Sequence, residues 1–311
     1  MLALLPGLYL GWGIGANDAA NTFGPQVGAN IISYRRAVAL AALFALTGAI
    51  VEGEKVFPTL GRLTALSVEM SVVAALAAAV SVHVMTGLGM PVSTSHAIFG
   101  ALVAVGVAGG RAISLSPAVR IVVSMLTAPV GAGVIAYVLY RLLSTLSAGR
   151  LGSLIAFQRT VRAGAIVVGC YGAYALGSNN VGNAMAPFVA VGVVEPSLGA
   201  LLGGLAIAAG VLTYSLPVML TVGRQITALD PISALVAALG TALTVHLFTQ
   251  LGVPVSTSQA IVGAVVGVGL TKGTVAVNRR IFWMIPASWV VSIVAAGIMA
   301  AVLLTAYSAI R

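Results

Sequence analysis

From Ile281 to Tyr307 the chain holds no Asp, Glu, Lys or Arg. Runs of this kind constrain the fold more than any other feature. Met70 to Met90 holds one ionisable side chain, His83, and Val119 to Tyr140 holds one, Arg120. Each run is long enough for a hydrocarbon core that needs about 20 helical residues. Charged residues make up only 7% of the 311, against about 25% in a soluble domain. So few charges cannot cover a water-facing surface. In lipid, backbone polar groups must be paired internally, so helices or a closed barrel are the choices, and unbroken apolar runs select helices. The expected fold is therefore all-α and polytopic, in the cell (inner) membrane. The 37 glycines suit close helix packing and interrupted helices.

The net charge of +9 does not read as a nucleic-acid footprint, because the basic residues stand singly or in pairs between apolar runs. One cysteine, Cys170, excludes an internal disulfide and any cysteine metal cluster, and reads as a small packing residue. The segment MLALLPGLYLGWG has no basic n-region and reads as part of the first span, not as a signal peptide.

The chain is written twice. GANDAANTFGP (Gly15 to Pro25) returns 162 residues later as GSNNVGNAMAP (Gly177 to Pro187). PVSTSHAIFGA (Pro91 to Ala101) returns after 163 as PVSTSQAIVGA (Pro254 to Ala264), identical at nine of eleven positions. His83 and His246 are also 163 apart. The expected units are residues 1–155 and 156–311, each with five apolar segments, roughly 2–30, 37–52, 70–88, 93–108 and 119–141, then 163–190, 198–222, 232–250, 256–271 and 281–306. Five is odd, so the second unit enters the membrane from the opposite side. With the N-terminus outside, the inner loops hold ten basic residues (Arg35, Arg36, Arg141, Arg150, Arg159, Arg162, Arg224, Lys272, Arg279, Arg280). The outer loops hold five (Lys55, Arg62, Arg111, Arg120, Arg311). That bias agrees with the positive-inside rule, and inverted repeats are a common construction of secondary transporters. The short segments around PVSTS fit either full spans or re-entrant hairpins.

Each PVSTS is expected to open a helix. Proline disfavours helix before it, Ser and Thr are good N-caps, and the residues that follow are helix-compatible. A helix N-terminus carries about half a positive charge. With the hydroxyls of Ser93, Thr94 and Ser95, and of Ser256, Thr257 and Ser258, it is a ready anion site. Two such termini from opposite sides can meet near the midplane. On a helix, Asn17, Asp18 and Asn21 share a face, as do Asn179, Asn180 and Asn183. Their oxygens are hard cation ligands. Asp18 is the one acid deep in an apolar segment, and such a residue marks an ion or proton pathway. Gly13, Gly15 and Gly24 are expected to let the helix unwind and bare its carbonyls. His83 and His246 suit a hydrogen-bonded packing role or a proton relay.

GANDAAN with GSNNVGN, and PVSTSHAIFG with PVSTSQAIVG, closely resemble the paired signatures of the inorganic phosphate transporter (PiT) family. The resemblance spans both units. It implies a sodium- or proton-coupled phosphate symporter with inverted repeats, working as a homodimer, with Na⁺ or H⁺ as coupling ion and no other cofactor. On it, Asn17 and Asn179 join Ser93, Thr94, Ser95, Ser256, Thr257 and Ser258 on the phosphate side. Asp18, Asn21, Asn180 and Asn183 take the cation. Many members carry Asp where this chain has Asn180, so one carboxylate of the pseudo-symmetric pair is lost and the cation count and identity stay open. The chain is short for the family, and the brief 141–162 connector leaves no room for a soluble domain there.

Other readings remain. A sulfate or other oxyanion permease of the same fold would use the same neutral donors, and a passive anion channel would not concentrate its substrate. An intramembrane hydrolase would need Ser95 with His96 or His83 as nucleophile and base, but adjacent Ser95 and His96 point to different helix faces and Gln259 replaces the histidine in the second copy. No enzyme activity is expected. A scaffold without transport would not need duplicated polar motifs in lipid.

Overall fold

The computed structural model describes residues 2–147, 154–222, 230–273 and 279–310. Arg150, Arg224 and Arg311, counted above among the loop charges, lie outside the described residues. The first unit comprises α1 (Leu5–Asp18), α2 (Ala20–Gly28), α3 (Tyr34–Glu52), a 3₁₀ turn (Gly53–Val56), α4 (Phe57–Gly61), α5 (Val68–Gly87), α6 (Thr94–Ala108) and α7 (Leu115–Ser147). The second comprises α8 (Leu154–Ala190), α9 (Pro196–Tyr214), α10 (Leu216–Thr221), α11 (Pro231–Gln250), α12 (Thr257–Thr271) and α13 (Arg279–Ile310). Six helical stretches among the described residues are long and apolar enough to cross a membrane. Val122, Leu126, Val130 and Val134 on α7, and Val290, Val294 and Ile298 on α13, recur at one helix turn and are all exposed, as a lipid-facing stripe requires. The protein is a multi-pass, all-helical membrane protein.

The PVSTS segments lie in two hairpins. Thr64 bridges Ile113, and the Ser114 amide donates to the Leu63 carbonyl at 2.8 Å. The start of α5 and the end of α6 therefore share one end of the bundle. The ammonium of Lys272 donates to the Asp230 carboxylate, which likewise joins the base of α11 to that of α12. The tip of the second hairpin reaches the base of the first: the Thr59 hydroxyl donates to the Gly252 carbonyl at 2.5 Å, and Lys55 Nζ to Gln250 Oε1 at 2.7 Å. The tip of the first, at Gly89, lies beside Pro217 and Thr221 near the base of the second. The hairpins thus run antiparallel. The 15-residue return arms α6 and α12 extend only about 22 Å, short of a hydrocarbon core of about 30 Å.

The two units exchange partners rather than packing as separate bodies. Helix α1 packs on α9, and α3 on α8 and α9; α6 packs on α13, and α12 on α7. Glycine makes the closest crossings possible. A Cβ at Gly210 would stand 1.9 Å from the Trp12 carbonyl oxygen, and one at Gly15 would stand 1.9 Å from that of Ile207. The expectation that Gly15 loosens its helix is therefore corrected: it admits the α9 backbone. The interruption at Ala19 keeps helical angles (φ −55°, ψ −30°), and α8 runs through GSNNVGN without a break.

Gly210→Val should part α1 from α9 and leave little folded protein, read as loss of the monodisperse peak on size-exclusion chromatography. Gly131→Ala, whose Cβ would meet nothing closer than 3.9 Å, should melt like the wild type. A normal peak for Gly210→Val would contradict the close crossing.

Candidate functional site

The N-terminus of each return arm forms as its sequence requires. Ser93 and Ser256 are extended (ψ 103° and 113°), and each hydroxyl accepts from the amide three residues on, His96 or Gln259, at 3.2 Å. The unpaired leading amides of α6 and α12 then face out of the helix ends. The extended residues before them cannot bond to themselves as a helix does. Asn17 supplies what they lack: Nδ2 donates to the Met90 carbonyl at 3.0 Å and to Thr86 Oγ1 at 2.9 Å, while Oδ1 accepts from the Val92 amide at 3.0 Å. Asn179 repeats this with the Val253 carbonyl (3.1 Å), Thr249 Oγ1 (3.0 Å) and the Val255 amide (2.9 Å).

The two PVSTS segments touch each other. Ser95 Oγ donates to the Val255 carbonyl at 2.9 Å, and Ser258 Oγ donates to the Val92 carbonyl at 3.0 Å. Asn183 Nδ2 donates to Ser95 Oγ at 2.9 Å. At the centre, Asp18 Oδ2 accepts from Thr94 Oγ1 and from Asn180 Nδ2, both at 2.8 Å. Asn21 Nδ2 reaches Asp18 Oδ1 at 3.3 Å and Thr257 Oγ1 at 3.2 Å. All four motifs therefore meet. Asp18, Asn180 and the six Ser/Thr residues are each at most 3% exposed, so the cluster is closed to solvent on both sides.

Three buried oxygens here have no hydrogen-bond partner among the described residues: Oδ1 of Asn21, of Asn180 and of Asn183. Buried acceptors are normally satisfied. With the Asp18 carboxylate bonded to Asn21 and Asn180, these oxygens are of the kind that holds a small hard cation. The second copy has asparagine where the first has Asp18, and the geometry gives a reason. Asn180 sits opposite its own counterpart, Asp18, and its amide donates to the carboxylate that a second Asp would repel.

The other candidates lie apart in their bonding. His83 Nδ1 pairs with Tyr9 Oη at 2.6 Å, and His246 Nδ1 pairs with Tyr171 Oη at 2.7 Å. The copies then diverge. His246 Nε2 also meets Glu52 at 2.8 Å, whereas the position equivalent to Glu52 is Tyr214, whose ring lies 5.7 Å from that of His83. Among the described residues no hydrogen bond joins Ser95 to His83 or to His96, and its hydroxyl donates to the Val255 carbonyl instead. Four contributors were absent from the sequence reading. Thr86 and Thr249 also repeat at 163 residues, a signal the repeat comparison contained. Ser124 Oγ donates to the Pro254 carbonyl at 3.2 Å and Ser288 Oγ to that of Pro91 at 3.3 Å, from stretches with little mutual similarity.

Comparisons with known proteins place the chain among transporters. The phosphate transporter family matches twice, over residues 14–157 and 154–300. Proteins named "putative phosphate permease" from Pyrococcus furiosus and Chlamydia pneumoniae are 29% and 27% identical, covering 98% and 96% of this chain and 95% and 96% of their own. A solved structure titled "The sodium-dependent phosphate transporter" superposes with a TM-score of 0.91 at 26% identity, over 100% of this chain and 99% of that one.

Asn17→Ala strands the Val92 amide and the Met90 carbonyl and removes a donor from Thr86 Oγ1, whose own proton stays on the Val82 carbonyl. At about 1–3 kcal/mol per buried group left unpaired, the variant should lose roughly 3 kcal/mol or more, read as a lowered melting temperature in detergent. Asn179→Ala should behave alike. A melting curve that does not move would remove the clamp role.

Proposed function

The chain belongs to the phosphate transporter family, and we propose that this phosphate permease imports inorganic phosphate by symport with Na⁺, working as a homodimer. The convergence of all four motifs on the Asp18 carboxylate supports this reading best. The two units are inferred to insert in opposite senses, a reading supported by the antiparallel hairpins and by the loop charges.

In this mechanism phosphate is held between the helix N-termini of α6 and α12. Their leading amides and the hydroxyls of Ser93, Thr94, Ser95, Ser256, Thr257 and Ser258 supply neutral donors. No Lys or Arg occurs in either motif, so the anion is bound without an ion pair that would slow its release. Asn17 and Asn179 act by holding those termini in place rather than by touching phosphate. Na⁺ binds at Asp18 with Asn21, Asn180 and Asn183. Thr94 joins the two sites, since its hydroxyl donates to Asp18 while its backbone opens α6. A cation at Asp18 thus acts on the phosphate cradle through one side chain.

Transport needs the closed cluster to open to each side in turn. The Ser95–Val255 and Ser258–Val92 bonds use the same hydroxyl protons that phosphate would take. Substrate and cross-contact therefore compete, and parting of the hairpins by binding or by movement of one hairpin gives alternating access.

Proteoliposomes should take up labelled phosphate faster under an inward Na⁺ gradient than under K⁺. Asp18→Asn should cut that uptake by about tenfold or more, as loss of a charge-assisted contact worth over 1.4 kcal/mol implies, at equal reconstituted amounts. Wild-type rates in the variant would exclude Asp18 from coupling. Equal uptake in Na⁺ and K⁺ with dependence on a pH gradient would assign H⁺ instead.

Sulfate, unlike phosphate near neutral pH, has no proton to donate to an acceptor such as Asp18. Sulfate in excess should leave phosphate uptake nearly unchanged, and equal competition by the two anions would favour a general oxyanion permease.

A further inference from the structure

Outside the central cluster, two arginines from different elements face one groove. Arg62 follows α4, and Arg120 lies in the second turn of α7. The groove has a volume of about 410 Å³ and is also lined by Thr59, Ser114 and Ser116. It is built from fixed backbone: the Ser114 amide bonds to the Leu63 carbonyl and Thr64 bridges Ile113. The N-terminus of the 33-residue α7 opens here, so its leading amides and its positive end add to the two guanidinium charges. Among the described residues no Asp or Glu lines the groove; Glu54 lines a separate cavity that Arg62 also borders. Among the described residues neither arginine forms an ion pair, and both are exposed.

The groove adjoins the second PVSTS. Thr59, in its wall, donates to the carbonyl of Gly252, two residues before Pro254. Ser124, one turn beyond Arg120 on the same face of α7, donates to the carbonyl of Pro254 itself. Arg120 therefore stands about 6 Å along α7 from the contact with the α12 entrance. Arg62, Lys55 and Arg111 belong to the face read as outer from the loop charges.

We propose that Arg62 and Arg120 form an entry site for a phosphate oxyanion, which captures free inorganic phosphate from the outer solution before it passes to the PVSTS cradle. Guanidinium forks match tetrahedral oxyanions, and Ser114 and Ser116 complete a polar wall. The central cluster lacks cations in its motifs and is buried, so attraction at a distance must come from elsewhere. An exposed pair supplies it in a form that salt screens and that releases the anion quickly.

This inference rests on the transport reading, and uptake by the wild type tests that reading first; its absence would refute transport before any variant is made. In wild type and the double variant Arg62→Gln/Arg120→Gln, initial rates are measured against phosphate at low ionic strength. The variant should show a KM raised about fivefold with its maximal rate within about twofold of wild type. The excess should vanish in about 0.5 M choline chloride, where the Debye length falls to a few ångströms. Arg111→Gln, on the same face but outside the groove, should leave KM in place. Arg62→Lys/Arg120→Lys, which keeps charge without the fork, should fall between, and serves if the glutamine variant does not fold. An unchanged KM would overturn the site. So would an equal rise in Arg111→Gln, which would mean a diffuse field. Loss of a retained anionic phospholipid from the purified variant, seen by native mass spectrometry with KM unmoved, would assign the groove to a lipid headgroup and overturn capture of free phosphate.

Discussion

A backbone that leaves the helix inside a bilayer has nowhere to place its amides and carbonyls unless the protein supplies partners. That constraint governs this molecule. Each PVSTS needs an extended stretch in order to turn a helix end toward the centre, and each stretch is secured by one asparagine, Asn17 or Asn179, bonding through both ends of its amide. Ser124 and Ser288 cover the proline carbonyls. With those groups satisfied, the two helix ends can stand in apolar surroundings, and the polar cluster between them becomes affordable in energy.

The central carboxylate then acquires its meaning from the partner it faces. Equivalent positions of the two copies meet here: Asp18 accepts from Asn180. An aspartate at 180 would set two carboxylates within one hydrogen-bond length, a pair that ionises fully only with a cation between them. The amide removes that demand and ties the two units together directly. A difference at a single position thus removes one negative charge from the cluster, while the donors around it remain paired.

The convergence of the motifs was legible in the residues because both recur at nearly one offset, so Asp18, Asn180 and the six hydroxyl residues could be expected at one place. The helices were legible because apolar runs and capping serines mark their ends. The role of Asn17 was harder to read, since two of its three partners are backbone groups of residues 90 and 92, which carry no side-chain signature. Glycine was ambiguous for a similar reason. Gly15 in a helix permits either unwinding or the approach of a neighbour, and only the position of Ile207 decides between them. The groove at Arg62 and Arg120 was invisible because its walls come from residues 58 apart in the chain, joined by a turn that no motif announces.

The exchange of packing partners between the units, α1 with α9 and α3 with α8, α6 with α13 and α12 with α7, bears on how such a chain could have arisen. A half-length polypeptide of this design would leave much of its apolar surface to be covered by a second one, which in an unfused ancestor had to meet it by collision in the plane of the bilayer. Fusion of the genes replaces that collision with a tethered encounter at an effective concentration of about millimolar. It also frees each copy to mutate separately, which is the freedom that asparagine 180 and glutamate 52 record.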